Sequence, residues 1–343
     1  MDPDAAPDCW VMSDGKAGME NQCLGLAEAL GLAPVVKRVD IRQPWRSLPP
    51  QLWFSPLSAL SPASDRLDPP WPDLLIATGR QTVALSVAIR RASQGRTFTV
   101  QIQNPTIAPD RFDLIAVPQH DRLTGANVVQ TFGALNRIRQ EAIETAAAAF
   151  APTVEALPRP LIVVLLGGAN KVFHMTDANV RDLGQKLKAL AGESGGGLAI
   201  TPSRRTEAGH VELLKAELEG VPAVWHTEDR PNPYLGWMGL GDAFVVTSDS
   251  VNMVSEACGT GKPVYVHHLE GGNAKFARFH EAMRESGRTR VLDGHLADWT
   301  YGPLDDTATV AALVQRQFLI HLKERGQDPV SFHAPDGTGE PGR

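Results

Sequence analysis

Long hydrophobic runs are absent from this 343-residue sequence, and none of its apolar stretches approaches the roughly 20 residues that a membrane-spanning helix needs. The first ten residues, MDPDAAPDCW, are acidic and lack the basic and then apolar pattern of a secretory signal peptide. Cysteine is also scarce, and three cysteines with no CxxC pair indicate neither a disulfide framework nor a zinc ribbon. We therefore expect a cytoplasmic protein in a reducing compartment.

An excess of positive charge is missing as well. With 33 Lys and Arg against 39 Asp and Glu, the chain has a net charge of -6, whereas general nucleic-acid-binding proteins are basic. We expect no nucleic-acid partner. Contact with a membrane surface needs only a few side chains, and Pro44-Trp45 and Leu52-Trp53-Phe54 are candidates for it, although packing beneath a loop is the simpler interpretation.

What the sequence does contain is a repeated order of apolar strand, polar turn and helix. Apolar runs at 9–12, 74–77 and 161–166 each lead into a glycine-containing turn and then into a helical pattern. Strands that alternate with helices in this way predict a parallel sheet with helices on both faces, and the length suffices for two such α/β domains. A stretch with three prolines at 151–160 predicts a linker between a first domain, 1–150, and a second domain.

The first glycine turn, SDGKAG at 13–18, follows the first predicted strand. It is not a Walker A loop, because no Ser or Thr follows Lys16, and it is not a complete GxGxxG fingerprint. Gly15 and Gly18 would let the backbone approach a ligand closely, while Asp14 and Lys16 project into the same space. A plain tight turn is the alternative interpretation.

Other polar residues follow later strands of the first half. In chain order they are Gly79, Arg80, Gln103, Asn104, Gln119 and His120. Parallel sheets bind ligands at the carboxyl ends of their strands, so these residues are candidates for a site. Each could equally be a solvated loop residue.

The most informative stretch is 241–268, which predicts strand, polar turn, short helix, glycine turn and strand. The polar turn, TSDS at 247–250, places hydroxyls and a carboxylate where the helix begins. Unpaired N–H groups and the helix dipole favour an anion there, and a phosphate would fit. Glu256 is too far along the chain from Ser250 to complete a capping box, which needs a carboxylate three residues after the cap. About two turns along the helix, its carboxylate can accept hydrogen bonds from both hydroxyls of a ribose. An ordinary capped helix with a surface glutamate is the alternative.

Three more strand ends in the second half carry polar residues: GGANK at 167–171, SRRT at 203–206 and HTED at 226–229. In a doubly wound sheet these loops and TSDS lie along one edge and meet in one crevice. Arg204 and Arg205 would present paired planar donors to phosphate oxygens, although a solvated turn is the alternative for them.

A last glycine turn at 267–275, HHLEGGNAK, leads into another helix. Its adjacent histidines, His267 and His268, point to opposite faces of a strand and are a poor metal chelate, so we assign no metal and no cofactor. A long apolar-striped helix follows, and the Gly/Pro-rich tail at 326–343 is expected to be flexible.

Three segments give the chain a resemblance to a known family: WVMSDGKAGMENQCLGLAEALGL near the start, TPSRRT in the middle and SDSVNMVSEACGTGKPVYV near the end. Over nearly its whole length the chain resembles the mitochondrial-fission ELM1-like family of glycosyltransferase-type proteins. More distantly it is similar to GT-B glycosyltransferases of the peptidoglycan MurG type. The resemblance implies two Rossmann-like domains with doubly wound parallel sheets that face a central cleft. It also implies acceptor loops in domain 1–150, a nucleotide-sugar site in domain 161–304, and a last helix, 305–325, that packs back on the N-terminal domain.

The resemblance further implies a role for each loop. It places the ribose on Glu256, the base against the loop at His226 and Thr227, the diphosphate near the two glycines and two serines of the first and fourth loops, and sugar hydroxyls near the last glycine turn. The implied nucleotide-sugar-binding residues are Gly167, Gly168, Asn170, Lys171, Ser203, Arg204, Arg205, Thr206, His226, Thr227, Ser248, Asp249, Ser250, Asn252, Met253, Glu256, Gly271, Gly272 and Asn273. The implied acceptor-side residues are Gly15, Lys16, Gly18, Gly79, Arg80, Gln103 and Asn104.

One departure from the MurG type concerns the catalytic base. That type carries a histidine in its first glycine loop, whereas this chain has Asp14 and Lys16 there. Asp14 is the candidate base, because a carboxylate can take the proton from an attacking hydroxyl. Structural capping by Asp14 is the alternative.

The resemblance thus implies a metal-independent glycosyltransferase that moves a sugar from a nucleotide-diphosphate donor to an acceptor hydroxyl. The acceptor would be a glycan or glycolipid, lipid-linked or in the cell envelope, which a cytoplasmic enzyme reaches at the inner face of the membrane. Two alternatives stay open. The family includes eukaryotic members implicated in mitochondrial division, which favours a non-catalytic adaptor with the same fold, and a nucleotide-sugar epimerase would need no separate acceptor.

Overall fold

The computed structural model describes residues 6–327, 330 and 332, which form two compact units. One unit holds the chain up to Arg137 and again from Asp305 onward, and the other holds Ile138–Leu304. Within the described residues, no helix is long and apolar enough to cross a membrane.

The first unit is built on a sheet of six parallel strands. In chain order its elements are β1 (Cys9–Ser13), α1 (Ala17–Ala29), β2 (Val35–Arg38), β3 (Leu74–Thr78), α2 (Arg80–Ala92), β4 (Phe98–Ile102), β5 (Leu114–Pro118) and β6 (Val128–Thr131). Across the sheet the order is β2-β1-β3-β4-β5-β6. The chain winds one way from β1 to β2 and the other way from β3 on, so the switch point of this doubly wound sheet lies between β1 and β3.

The central strands of this sheet are buried because helices cover both faces. In β1, Cys9 and Val11 belong to the core cluster that contains residues of α1. Trp10 and Met12 alternate with them and belong to the cluster that contains residues of α2.

A long excursion connects β2 and β3. It contains three 3₁₀ turns, at Trp45–Ser47, Pro50–Leu52 and Pro56–Ala59. Trp53 is buried in the core cluster that includes α2, and the ring of Trp45 packs against it with centroids 6.4 Å apart. Leu52 and Phe54 are exposed. Trp53 therefore packs beneath the loop, whereas its two neighbours do not.

The second unit contains another sheet of six parallel strands and a two-stranded ribbon. Its elements are α3 (Gln140–Phe150), β7 (Leu161–Leu166), β8 (Phe173–His174), α4 (Asp177–Ser194), β9 (Gly197–Pro202), α5 (Ala208–Glu217), β10 (Ala223–Trp225), α6 (Tyr234–Leu240), β11 (Ala243–Thr247), α7 (Val251–Gly259), β12 (Val264–His267), β13 (Glu270–Gly271), α8 (Ala274–Glu285) and β14 (Thr289–Val291). The parallel sheet has the order β10-β9-β7-β11-β12-β14, and β8 pairs with β13. Its switch point lies between β7 and β11. The strand β7 is followed by GGANK, and β11 is followed by the last three residues of TSDS, 248–250.

The boundary between the units differs from the one expected from the sequence. We predicted a first domain of 1–150 and a linker at 151–160, but α3 lies in the second unit. It packs on α6 through two glycines: a Cβ on Gly236 would lie 2.7 Å from the Cβ of Phe150, and one on Gly239 would lie 2.7 Å from the carbonyl oxygen of Ile143. The alanine-rich helix and the glycine-containing helix therefore fit each other, a contact that the local pattern of α3 does not reveal.

The last helix, α9 (Asp306–Glu324), belongs to the first unit. Val310, Val314 and Phe318 are buried in the same core cluster as Leu26 of α1. The carboxylate of Asp306 also accepts a hydrogen bond from the backbone N–H of Gly133 at 2.8 Å. The tail expected to be flexible, 326–343, lies mostly outside the described residues.

Candidate functional site

The loops after β7 and β11 are joined at the switch point of the second unit. The hydroxyl oxygen of Thr247 accepts a hydrogen bond from the N–H of Gly167 at 2.7 Å and donates one to Asp249 Oδ1 at 2.6 Å. The other carboxylate oxygen, Oδ2, accepts one from the N–H of Gly168 at 3.2 Å. The two bonds from the glycine N–H groups join the ends of adjacent strands, so they fix the two loops at the position where doubly wound sheets bind ligands.

Asp249 also holds the loop after β9. Its side chain has no exposed surface, and its Oδ2 lies 2.7 Å from Nη1 of Arg205, whose side chain is 39% exposed. A buried carboxylate needs such a partner, because an unpaired charge in the interior is costly. Arg205 therefore organises the loop, whereas the exposed Arg204 forms no ion pair with any described residue.

The two glycines of GGANK are required by this close packing. A Cβ on Gly167 would lie 2.2 Å from the carboxylate oxygens of Asp249, and one on Gly168 would lie 2.0 Å from the carbonyl oxygen of Arg205. The glycines thus make room for neighbouring loops.

Hydroxyls of the loop after β9 point to the end of β7. Ser203 donates to the carbonyl oxygen of Gly167 at 3.2 Å, and Thr206 donates to the same oxygen at 2.5 Å. The side-chain NH2 of Asn170 donates to the carbonyl oxygen of Asp249 at 3.3 Å. The ammonium of Lys171, by contrast, is exposed and makes no ion pair with the described residues.

The two serines that precede α7 make different hydrogen bonds. Ser250 is the N-cap, and its hydroxyl accepts a hydrogen bond from the N–H of Met253 at 3.3 Å. Ser248 is fully buried, and its hydroxyl accepts one from the N–H of Leu269 at 3.0 Å, which fixes the loop after β12. Ser250, Asn252 and Met253, in or next to the first turn, are half-buried, so this helix end is partly open to solvent.

Glu256 lies two turns along α7 and is half-buried. The hydroxyl of Tyr234, the first residue of α6, donates a hydrogen bond to its carboxylate. Burial raises the pKa of Glu256 to about 7, and the bond from Tyr234 opposes that rise. Burial, together with the nearby carboxylate, also raises the pKa of Tyr234 well above its ordinary value.

The loop after β10 leads directly to this pair. His226, which is half-buried, is anchored by its N–H to the carbonyl oxygen of Ile200 at 2.9 Å, and Thr227 is exposed. The loop then enters α6 at Tyr234. Tyr234 itself was missed by the sequence reasoning; the turn signal of the preceding Asn232-Pro233 could have placed it at the start of a helix beside the site.

The loop after β12 borders a pocket of about 620 Å³ that lies wholly within the second unit. Gly271 and Gly272 have φ values of +95° and +99°, which favour glycine. The side chain of Asn273 caps α8 and accepts from the N–H groups of Lys275 and Phe276 at 2.9 and 3.2 Å. Desolvation lowers the pKa of His280, which lines the pocket, to about 4, so this ring is neutral near pH 7.

The acceptor-side candidates follow β1, β3 and β4, which are neighbours in the first sheet. The side chain of Asp14 is 10% exposed and is paired with the ammonium of Lys16. Gly15 has a φ of +76°, and Gly18 lies in the first turn of α1.

The other candidates on this side bind their own loops. The guanidinium of Arg80, which follows Gly79 (φ +88°), donates to the carbonyl oxygens of Ser47 and Leu48 at 3.3 and 3.0 Å. Gln103 donates to the sulfur of Met19 at 3.2 Å, and the side chain of Asn104 accepts from the N–H of Thr106 at 2.9 Å. They are therefore brought to one edge, but most of their polar groups are already engaged.

An ion pair that the sequence reasoning missed lies against Ser13 and Gly15 of the first glycine turn. Glu20 accepts two hydrogen bonds from Arg38, at 2.8 and 2.9 Å, and these bonds lower the pKa of Glu20. No local pattern signals it, because Arg38 is at the end of β2 and Glu20 is in α1.

Comparison with known proteins settles the family. Residues 17–318 match the family model described as "Mitochondrial fission ELM1", which is most of the chain. The chain belongs to the mitochondrial fission ELM1 family. It is 36% identical to the mitochondrial fission protein ELM1 of Arabidopsis thaliana over 282 residues, which cover 72% of this chain and 64% of the plant protein. The ELM1-family chain thus matches less than two thirds of that relative's length.

Two solved structures resemble the ELM1-family chain. UDP-GlcNAc 2-epimerase from Methanocaldococcus jannaschii aligns with a TM-score of 0.51 and 11% identity, over 90% of this chain and 98% of that one. MurG from Acinetobacter baumannii aligns with a TM-score of 0.49 and 12% identity, over 96% and 97% of the two chains. The predicted fold class, GT-B-like with two Rossmann-like parallel-sheet units, is confirmed.

Proposed function

We propose that the second unit binds a nucleotide-diphosphate sugar and that the protein transfers the sugar to an acceptor hydroxyl without a metal ion. The observation that carries this proposal is the switch point between β7 and β11, where Asp249 ties three strand-end loops together in front of the α7 N-terminus. A site fixed in this way before the ligand arrives loses little entropy on binding.

The diphosphate would lie at the first turn of α7. Departure of the nucleoside diphosphate develops negative charge, which the helix dipole and the exposed cations Lys171 and Arg204 would stabilise. Arg205 would contribute through its exposed face while it holds Asp249 in place. Loss of one well-placed donor of this kind typically costs about 3 kcal/mol of activation free energy.

The ribose would lie on Glu256. Tyr234 donates to Oε2 of this carboxylate, so Oε1 and the second lone pair of Oε2 are the acceptors that a diol would use. The base would lie against His226 and Thr227, since this loop leads into Tyr234. The sugar would reach toward Gly271, Gly272 and Asn273.

Asp14 is the proposed catalytic base on the acceptor side. Its carboxylate contacts the ammonium of Lys16, so an acceptor hydroxyl would have to replace that contact before it gives up its proton. The proposed acceptor is a lipid-linked or cell-envelope glycan met at the inner face of a membrane.

A thermal-shift screen with UDP-, GDP-, ADP- and CMP-linked sugars tests the donor site first. The donor that stabilises the protein is then incubated with it and a membrane lipid extract, and the released nucleoside diphosphate and glycosylated products are measured by mass spectrometry. We expect transfer by the wild type, and intact donor binding with lost turnover for Asp14→Asn. Full activity of Asp14→Asn would remove Asp14 as the base.

A non-catalytic adaptor is the second candidate, because the plant relative that is 36% identical is named for mitochondrial fission. An adaptor would bind a nucleotide sugar weakly or not at all and would give no product. An epimerase is distinguished by the same assay with donor alone, because it would change the sugar without any acceptor.

A further inference from the structure

The most exposed large hydrophobic side chain of the described residues lies in the excursion between β2 and β3. Phe54 is 93% exposed and Leu52 is 49% exposed, on either side of the buried Trp53. The indole N–H of Trp53 donates to the carbonyl oxygen of Leu48 at 3.2 Å. The side-chain NH2 of Gln51 donates to the carbonyl oxygen of Thr106 at 2.9 Å. Phe54 and Leu52 thus project from a backbone that is fixed on both sides.

A cavity of about 440 Å³ opens beside Phe54. Its walls come from the excursion, from α2 and from the loop before β5. Trp53, Val87 and Ile107 are among its apolar lining residues, and Arg91 and Arg111 line it as well. Both arginines are exposed, so the cavity combines apolar lining with two cationic side chains in contact with solvent.

The charge around this patch is opposite to that of the chain as a whole. The segments 41–64 and 80–92 contain five arginines and no aspartate or glutamate, in a chain whose net charge is -6. Two of the five are balanced by carboxylates outside these segments, since Arg90 binds Asp113 at 2.8 Å and Arg46 lies 3.7 Å from Asp40. Arg91 forms no ion pair with any residue that the structure describes. Arg111 lies 4.0 Å from Asp110, and both are exposed.

We propose that this surface, formed by Leu52, Phe54, Arg91 and Arg111, binds an anionic lipid bilayer. An aromatic ring and a leucine on a fixed tip can enter the boundary between headgroups and acyl chains, while arginines beside them bind lipid phosphates. A protein partner would need a larger complementary area than two protruding apolar side chains offer. The charge of the patch selects an anionic membrane over a neutral one.

This inference goes beyond the proposed sugar transfer, because lipid binding needs neither nucleotide nor turnover. Co-sedimentation with vesicles tests it on the full chain, with phosphatidylcholine vesicles compared with vesicles that also contain phosphatidylglycerol. We expect the wild type to sediment with the anionic vesicles and to be released by salt. The double variant Leu52→Ser/Phe54→Ser should bind at least about tenfold more weakly, because it loses one aromatic and one aliphatic side chain that the bilayer would bury.

Two further variants complete the test. Arg91→Glu should weaken binding to anionic vesicles severalfold and reduce its salt dependence, since each arginine near such a surface contributes about a fivefold gain in affinity. Ile320→Ser, at a residue of α9 that is 43% exposed, is the matched control and should bind as the wild type does. The proposal is overturned if the wild type does not sediment with the anionic vesicles, or if the double variant binds them as tightly as Ile320→Ser does.

Discussion

Two glycine turns that look alike in the sequence have opposite physical reasons for their glycines. In SDGKAG of the first unit, Gly15 has a φ of +76°, and the nearest atom to a Cβ there would be Arg38 Cδ at 3.9 Å. In GGANK of the second unit, Gly168 has no such φ, but a Cβ would lie 2.0 Å from the carbonyl oxygen of Arg205. Gly15 is required by its own backbone conformation, whereas Gly168 is required because a neighbouring loop leaves no room for a Cβ. The side chain of Lys16 in the first loop is exposed, whereas the second loop belongs to a network of hydrogen bonds and an ion pair that joins three loops.

The largest expected effect comes from filling the crowded position. Gly168→Ala should lower the free energy of unfolding by about 3 kcal/mol, because the obstacle is a backbone carbonyl that cannot rotate away. Gly15→Ala should cost only about 1 kcal/mol, the strain of a left-handed residue. Urea denaturation measures both, with Gly192→Ala in α4, where a Cβ meets nothing within 4 Å, as the control. Equal losses in the free energy of unfolding for Gly15→Ala and Gly168→Ala would contradict this explanation of the two glycines.

The next effect concerns the carboxylates of the two loops. Asp249→Asn should cost about 2 kcal/mol of stability, less than for a fully buried ion pair, because Arg205 is partly exposed and can turn to water. Asp14→Asn should cost less than about 1 kcal/mol, since Lys16 is 72% exposed. Thermal and urea unfolding of the two variants should therefore rank them in this order. An Asp14→Asn variant less stable than Asp249→Asn would contradict the account of a completed network.

The third prediction uses the raised pKa of Glu256. A ribose diol donates hydrogen bonds to the ionised carboxylate, so nucleotide binding should release a proton below a pH of about 7. Affinity should then fall by up to about tenfold for each pH unit below 7 and level off above it. Calorimetry measures this dependence in buffers from about pH 5.5 to about pH 8, a range that begins about 1.5 pH units below the pKa of Glu256 and ends about 1 pH unit above it. Glu256→Gln should abolish it, and a variant with the same pH dependence as the wild type would show that another group titrates.

A small effect is also expected for Tyr234→Phe. Loss of one hydrogen bond should cost about 1 kcal/mol of stability. Because the Tyr234 hydroxyl lowers the pKa of Glu256, its removal should move the midpoint of the pH dependence upward. A downward shift of the midpoint would show that the hydroxyl does not stabilise the ionised carboxylate.

The fold class could be predicted from the sequence, and so could the strand ends at which the candidate site lies, because both depend on local patterns. Apolar runs such as 161–166 and the polar turns after them mark strand ends, and parallel topology brings those ends together. The partners of the polar residues could not be predicted. Asp249 with Arg205, and Tyr234 with Glu256, are pairs formed between loops whose packing no local signal encodes. The position of α3 also depends on a contact that no local signal encodes. It packs on two glycines of α6 that lie roughly 90 residues later in the chain, about the length of a small domain.

Isothermal titration of the stabilising nucleotide sugar tests the central claim most directly, namely that the switch point of the second unit is a nucleotide-sugar site. We predict that the wild type binds and that Glu256→Ala binds far more weakly, while Glu212→Gln, at an exposed residue of α5, binds as the wild type does. Unchanged affinity for Glu256→Ala would contradict the assignment of the ribose, and no binding by the wild type of any nucleotide sugar would contradict the site itself.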